Sequence, residues 1–178
     1  MSNTLTRVVS ILEEEITSIK TESTNQLILN IKNAKNIFVA GAGRSKMIAS
    51  MFAMRLMHCG FNVFVVGETV TPSISGDDLL IIVSSSGSTS QLVEFASKAN
   101  KLHSKICLIT SNYSSMIGDI ASHIVVVGSD SRSQVNCLPL GSRFELASSI
   151  YFELIVIMLM EQLGIDQNSM SKRHANLE

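Results

Sequence analysis

The sequence predicts an α/β fold: a five-stranded parallel sheet in flavodoxin-like order, with helices on both faces. Three observations predict it. Short apolar runs, of strand length and rich in Val and Ile, recur at residues 36–40, 62–66, 79–83, 105–110 and 123–127. Segments of helical periodicity separate most of these runs, and strand–helix alternation builds a parallel sheet covered by helices. The first and third runs each end in a loop of glycine and hydroxyl residues, as at the carboxyl edge of such a sheet.

A chain of 178 residues suits one domain with a sizeable core. Its hydrophobic fraction of 46% is ordinary for a soluble domain. A net charge of -1 gives no electrostatic basis for nucleic-acid binding. Cys59, Cys107 and Cys137 are odd in number, widely spaced and form no C-x-x-C pair, which fits reduced, buried thiols. The N-terminus has no apolar signal core. The apolar run at 154–160 is shorter than the roughly 20 residues a bilayer requires. The expectation is a soluble, cytoplasmic protein with no membrane partner.

Leu5, Val8, Val9, Leu12, Ile16 and Ile19 recur at helical spacing, as do Leu27, Ile28 and Ile31 beyond a polar break at 21–25. One or two helices therefore precede the sheet, and Glu13, Glu14 and Glu15 read as a solvated face. Strand 36–40 runs into Gly41-Ala42-Gly43-Arg44-Ser45 and a methionine-rich helix to His58, closed by Gly60. Its methionines read as core or subunit contact. Strand 62–66 leads through a loop holding Pro72 and Gly76 to strand 79–83 and a helix at 92–102. Strand 105–110, a short helix at 114–121 and strand 123–127 follow. Residues 128–141 are polar and irregular, a candidate active-site loop. A long apolar helix at 142–163 and a helical tail at 168–178 complete the chain. The divisions are an N-terminal helical segment (1–34), a ligand-binding domain (35–165) and the tail (166–178).

Residues 83–91 read V-S-S-S-G-S-T-S-Q between a buried strand and a helix. Free backbone N–H groups and the positive end of a helix dipole make such a loop an anion cradle. Ser84, Ser85, Ser86, Ser88 and Thr89 add hydroxyl donors, and Gly87 allows close approach. The stretch reads as a phosphate-binding loop for a phosphorylated sugar; a serine-rich turn that only caps its helix is the other reading. In the order 2-1-3-4-5, strands 1 and 3 are neighbours at the switch point, so the two special loops meet. That convergence favours a ligand site.

Several motifs fail. Lys46 occupies the third glycine position of G-x-G-x-x-G, and no acidic residue ends strand 2. The P-loop G-K-[ST] is absent. His58, His103, His123 and His174 are scattered without metal-ligand spacing. Neither a metal nor a nucleotide cofactor is expected.

Gly41-x-Gly43-Arg44-Ser45 with Ser84-x-Ser86-Gly87-x-Thr89 resembles the sugar isomerase (SIS) domain family. The chain further resembles the 6-phospho-3-hexuloisomerases through G-A-G-R-S at 41–45, F-A-M-R-L-M-H-C-G-F-N at 52–62 and G-E-T-V-T-P at 67–72. L-P-L-G-S-R-F-E at 138–145 and R-H-A-N-L-E at 173–178 also match. Lys46 and Ser85 depart from glycines common in the pattern. The resemblance implies interconversion of D-arabino-hex-3-ulose 6-phosphate, a phosphorylated ketohexose, with fructose 6-phosphate in formaldehyde fixation. It also implies a homotetramer.

Moving a carbonyl from carbon 3 to carbon 2 passes a proton through a cis-enediol, which needs a base over the carbons and a donor near the oxygens. No metal or redox cofactor is required. Glu145 matches the family's catalytic glutamate, with a helix-dipole-stabilised first-turn residue as the alternative. Glu68 is the runner-up, near substrate hydroxyls. Ser45, Ser84, Ser86 and Thr89 are expected to grip the phosphate, with Gly43, Ser85, Gly87 and Ser88 shaping the loops. Arg44 pairs either with substrate or with a carboxylate. His174, in the terminal motif, is an acid–base candidate, for a neighbouring subunit or as a packed histidine. The competing functions are an isomerase for another sugar phosphate and a non-catalytic sugar-phosphate sensor. The latter normally carries an output module, which the acidic segment of about 35 residues before the sheet does not resemble.

Overall fold

The structure, a computed structural model, describes residues 2–128 and 138–177. Two helices, α1 (Ser2–Thr17) and α2 (Thr21–Asn33), lead into β1 (Ile37–Gly41), α3 (Arg44–Cys59), β2 (Val63–Val65) and β3 (Leu79–Val83). Then come α4 (Ser90–Lys101), β4 (Lys105–Thr110), β5 (His123–Val126), α5 (Ser142–Leu163) and α6 (Gln167–Ser171). The strands form one parallel sheet in the order β2-β1-β3-β4-β5, as the sequence predicts.

Side-chain alternation along the strands splits the core in two. Val39, Ile81 and Cys107 face α2, α3 and α5, while Phe38, Leu80 and Leu108 face α4. Phe52 of α3 stacks on Phe152 of α5 with ring centroids 4.1 Å apart. The central strands β1 and β3 are buried on both faces, which explains their unbroken apolar character. Burial raises the thiols of Cys59 and Cys107, which are free; Cys137 lies outside the described residues.

α5 runs 22 residues and is long and apolar enough in composition to cross a membrane. The uninterrupted run at 154–160 understates it, because Ser148, Ser149 and Glu153 interrupt the run and not the helix. In the fold, Phe144, Tyr151, Phe152, Ile155 and Leu159 of this helix lie in the core.

Four expectations change. The break between the first helices falls at 18–20, and Thr21 already opens α2. Residues 114–121 are a turn and not a helix. Hydroxyl residues there compete for the backbone, and the Ile117 N–H donates to Gly87 O at 2.9 Å. The tail is helical only over α6, where the Asp166 side chain accepts from Ser169 N–H. Glu15 is 3% exposed and pairs with Arg143, so it does not belong to a solvated face. The loop expected at 128–141 lies mostly outside the described residues.

Asp78 ties the opposite, amino edge of the sheet. Its carboxylate accepts from Asn36 N, Asn36 Nδ2, Ser75 N and Ser75 Oγ at 2.7–3.1 Å. Burial alone would raise this carboxyl, but the Ser75 and Asn36 hydrogen bonds outweigh it and hold it below its ordinary value. A depressed carboxyl stabilises the fold above its unfolded value, and that contribution is lost as pH falls through the folded one. Asp78→Asn is expected to cost about 2 kcal/mol at neutral pH. Denaturant titrations should show the gap to wild type closing under acid, below about pH 4.

Candidate functional site

Gly41 ends β1 directly beside Val83, the last residue of β3. A Cβ at Gly41 would sit 2.8 Å from Lys46 N and Ser45 C, so only glycine lets α3 start across the strand end. Gly43 is the N-cap of α3, and Thr89 caps α4 without a side-chain hydrogen bond. Two helix N-termini therefore open at the switch point without a side chain closing them, one from each layer of the core. Their positive ends favour an anion there.

The β3 loop is braced from below. Ser85 O accepts from Thr110 Oγ1 at 2.9 Å, Ser111 Oγ at 3.0 Å and Ser111 N at 3.2 Å. The Ser85 and Ser111 hydroxyls bond at 2.7 Å. Gly87 N–H donates to Ser84 Oγ at 3.2 Å, and Ser84 is buried at the base of the loop. Ser88 N–H donates to Ser86 Oγ at 3.3 Å. Ser86 and Ser88 are exposed on the open side, with Thr89 half-buried beside them. Ser85 thus acts as a brace, while Ser86, Ser88 and Thr89 face the opening.

Arg44 opens α3 and Glu145 lies in the first turn of α5, on the same side of the sheet. Arg44 Nε donates to Glu145 Oε2 at 2.6 Å. The carboxylate is 11% exposed and the arginine 66%, so the guanidinium covers a sunken carboxylate. Ser45 is half-buried in the first turn of α3. Glu68, beyond β2, lies 3.6 Å from Lys46 Nζ and is 60% exposed. A water-exposed ion pair of this kind is weak and easily rearranged.

His174 is elsewhere within the subunit. Its ring stacks on His58 with centroids 5.3 Å apart, at the carboxyl end of α3. The helix rise puts His58 about 21 Å from Arg44, so one subunit does not bring His174 to Glu145. Arg173 Nη1 holds this tail by donating to His58 O at 3.2 Å. His123 Nε2 contacts Ser23 O at 2.9 Å, and burial lowers its pKa. Among the described residues no three His, Cys, Asp or Glu side chains gather as metal ligands.

Sequence reasoning missed Thr110, Ser111 and Ser115 beneath the loop, and Glu15 with Arg143 beside it. Thr110 and Ser111 end a strand without any motif. Glu15 is hidden inside a triplet of acids.

With this geometry, the SIS domain model matches residues 30–159. A 3-hexulose-6-phosphate isomerase of Bacillus subtilis, the same activity under its other name, is 39% identical and aligns over 96% of this chain and 95% of its own length. This chain belongs to the 3-hexulose-6-phosphate isomerase family of SIS domain proteins. The family's Methylomonas aminofaciens isomerase is 36% identical over 96% of each chain. A crystal structure from Methanococcus jannaschii, from which the same isomerase function was inferred, superposes with a TM-score of 0.86 at 35% identity. That match covers 99% of this chain and 98% of the other.

Proposed function

We propose that this protein interconverts D-arabino-hex-3-ulose 6-phosphate and fructose 6-phosphate by proton transfer through a cis-enediol. The observation that supports it most is the sunken Glu145 carboxylate beneath Arg44, beside two helix N-termini that open at one crevice. In this reading Ser45, Ser84, Ser86, Ser88 and Thr89 hold the phosphate, and Gly43, Ser85 and Gly87 shape the loops. The phosphate is remote from the reacting carbons, so its binding energy orients them. Glu145 moves the proton between carbons 2 and 3. Arg44 leaves the carboxylate for an oxygen that gains charge. Glu68 orients hydroxyls at the mouth. His174 acts from a neighbouring subunit, since its own chain keeps it from Glu145.

The carbonyl at carbon 3 and the phosphate on carbon 6 leave no hydroxyl placed to close a stable ring. The hexulose therefore enters open-chain, and only fructose 6-phosphate needs ring opening. The sugar-phosphate unit spans residues 35–165, and the reaction belongs to cytoplasmic formaldehyde fixation. The assay mixes the protein with a hexulose phosphate synthase, formaldehyde and ribulose 5-phosphate and follows fructose 6-phosphate. No product from folded protein would move the reading to another sugar phosphate or to a sensor.

A second copy of the chain is the partner. Met47, Met51 and Met54 on α3 and Ile150, Leu154 and Ile157 on α5 are all at least 39% exposed on neighbouring helices. An apolar face of this kind is costly to leave in water, and the family resemblance implies four copies. Met51→Glu with Leu154→Glu is expected to break the assembly into smaller species in sedimentation velocity. A wild-type protein that sediments as a monomer at micromolar concentration would reject the assembly.

A further inference from the structure

We propose that Thr110 and Ser111, at the end of β4, are positioning residues for the substrate phosphate. They pin the Ser85 carbonyl so that the Ser86 backbone N–H faces the β1 loop as a fixed donor. The inference rests on the reading of the β3 loop as the phosphate site.

β3 lies between β1 and β4 in the sheet. Two residues beyond its end, the Ser85 carbonyl turns to the β4 side. It accepts there from Thr110 Oγ1, Ser111 Oγ and Ser111 N–H, all within 3.2 Å. One donor is enough to satisfy a carbonyl; three fix its direction.

That direction sets the next amide. A peptide unit is planar, and none of the described ones is cis, so each N–H points opposite to the C=O of its own unit. The N–H that shares a unit with the Ser85 carbonyl is that of Ser86. It therefore points away from β4, to the side where Gly43, Arg44 and Ser45 open α3 beyond β1. Ser86 is exposed, and among the described residues no group accepts from this N–H. Hydroxyls in the loop can rotate away from an anion. A pinned amide cannot, and a donor already in place costs no reorganisation when charge arrives.

The protons account for the residues used. Thr110 Oγ1 accepts from Asn112 N–H at 3.0 Å, and its own proton goes to Ser85 O at 2.9 Å, nearer than Asn112 O at 3.3 Å. Ser111 and Ser85 hold one hydroxyl proton each. Both their contacts are met when Ser85 Oγ donates to Ser111 Oγ and Ser111 Oγ donates back to Ser85 O. Ser85, which departs from a glycine common in the pattern, thus spends its hydroxyl on the brace.

The test compares Thr110→Val, Ser111→Ala and the double variant with wild type. The readouts are inorganic phosphate affinity, the Ser86 amide signal in NMR spectra of isotope-labelled protein, and KM against kcat. Phosphate should move the Ser86 amide signal in wild type. Each single variant is expected to weaken phosphate binding several-fold and the double variant at least about tenfold, with a smaller Ser86 shift at saturation. KM for the sugar phosphate should rise in step, and kcat should fall less. Ser122→Ala is the control, because its hydroxyl bonds Ile106 N and O near the other end of β4. It should lower thermal stability and leave phosphate affinity in place.

A Ser86 signal that phosphate does not move, in a wild type that binds it, overturns the proposal. So do brace variants that lose stability but bind phosphate as wild type does. Should Thr110→Val fail to fold, unchanged affinity and Ser86 shift in Ser111→Ala overturn it alone. A folded wild type that binds neither phosphate nor fructose 6-phosphate rejects the phosphate-loop reading itself.

Discussion

Glu145→Gln is expected to lower kcat for hexulose 6-phosphate isomerisation roughly a thousandfold, in the range lost when a general base is removed. The substitution keeps the side chain's size and leaves an oxygen to accept from Arg44 Nε, now 2.6 Å from the carboxylate. It removes only the capacity to take a proton. KM should change little, because the proposed phosphate site lies with the β1 and β3 loops. A kcat effect at constant KM marks an interaction used in the transition state. Circular dichroism and unfolding curves close to wild type complete the expectation. A variant that keeps more than a tenth of wild-type turnover would transfer the base to Glu68, and Glu68→Gln would then carry the large loss.

Gly87→Ala is expected to damage binding most. Gly87 has φ +62°, and an added Cβ would collide with Ser115 Oγ and lie 2.6 Å from Ser115 Cβ. The hydroxyl alone could turn aside, but the Cβ moves only with its backbone. That backbone is engaged, since Asp119 N–H donates to Ser115 O at 3.0 Å and the neighbouring Ile117 N–H to Gly87 O at 2.9 Å. The loop must therefore rise, which takes Ser86, Ser88 and Thr89 out of register with the α4 N-terminus. Overpacking and strain of this size cost about 1–3 kcal/mol in stability. KM for the phosphorylated substrate should rise at least tenfold, while affinity for inorganic phosphate falls in parallel. Unchanged phosphate affinity in the folded variant would remove this loop from the binding site.

Strand order was readable because each strand is a short apolar run whose neighbours are fixed by right-handed crossovers and the switch at β1 and β3. The meeting of the two glycine and hydroxyl loops was readable because they follow β1 and β3, which pair side by side. The turn at 114–121 was not. Its apolar spacing fits one helical turn, but its backbone is spent on Gly87, a partner distant in sequence. Glu15 failed for a related reason. Position in an acidic triplet says nothing about which of the three meets Arg143, and only α1 packing against α5 selects it. His174 carries a recognisable motif, yet motif membership does not fix distance, and the chain leaves it against His58.

The Arg44 cover over Glu145 has a bearing on discrimination. At rest the proposed proton acceptor, Glu145, is already engaged by a cation. A free sugar that wandered into the crevice would meet a quenched base. A phosphorylated one, held by the two loops, keeps the oxygens that gain charge within reach of the same guanidinium. On the proposed reading, the phosphate therefore serves as a password as well as a handle: its absence shows in turnover, beyond what weaker occupancy accounts for.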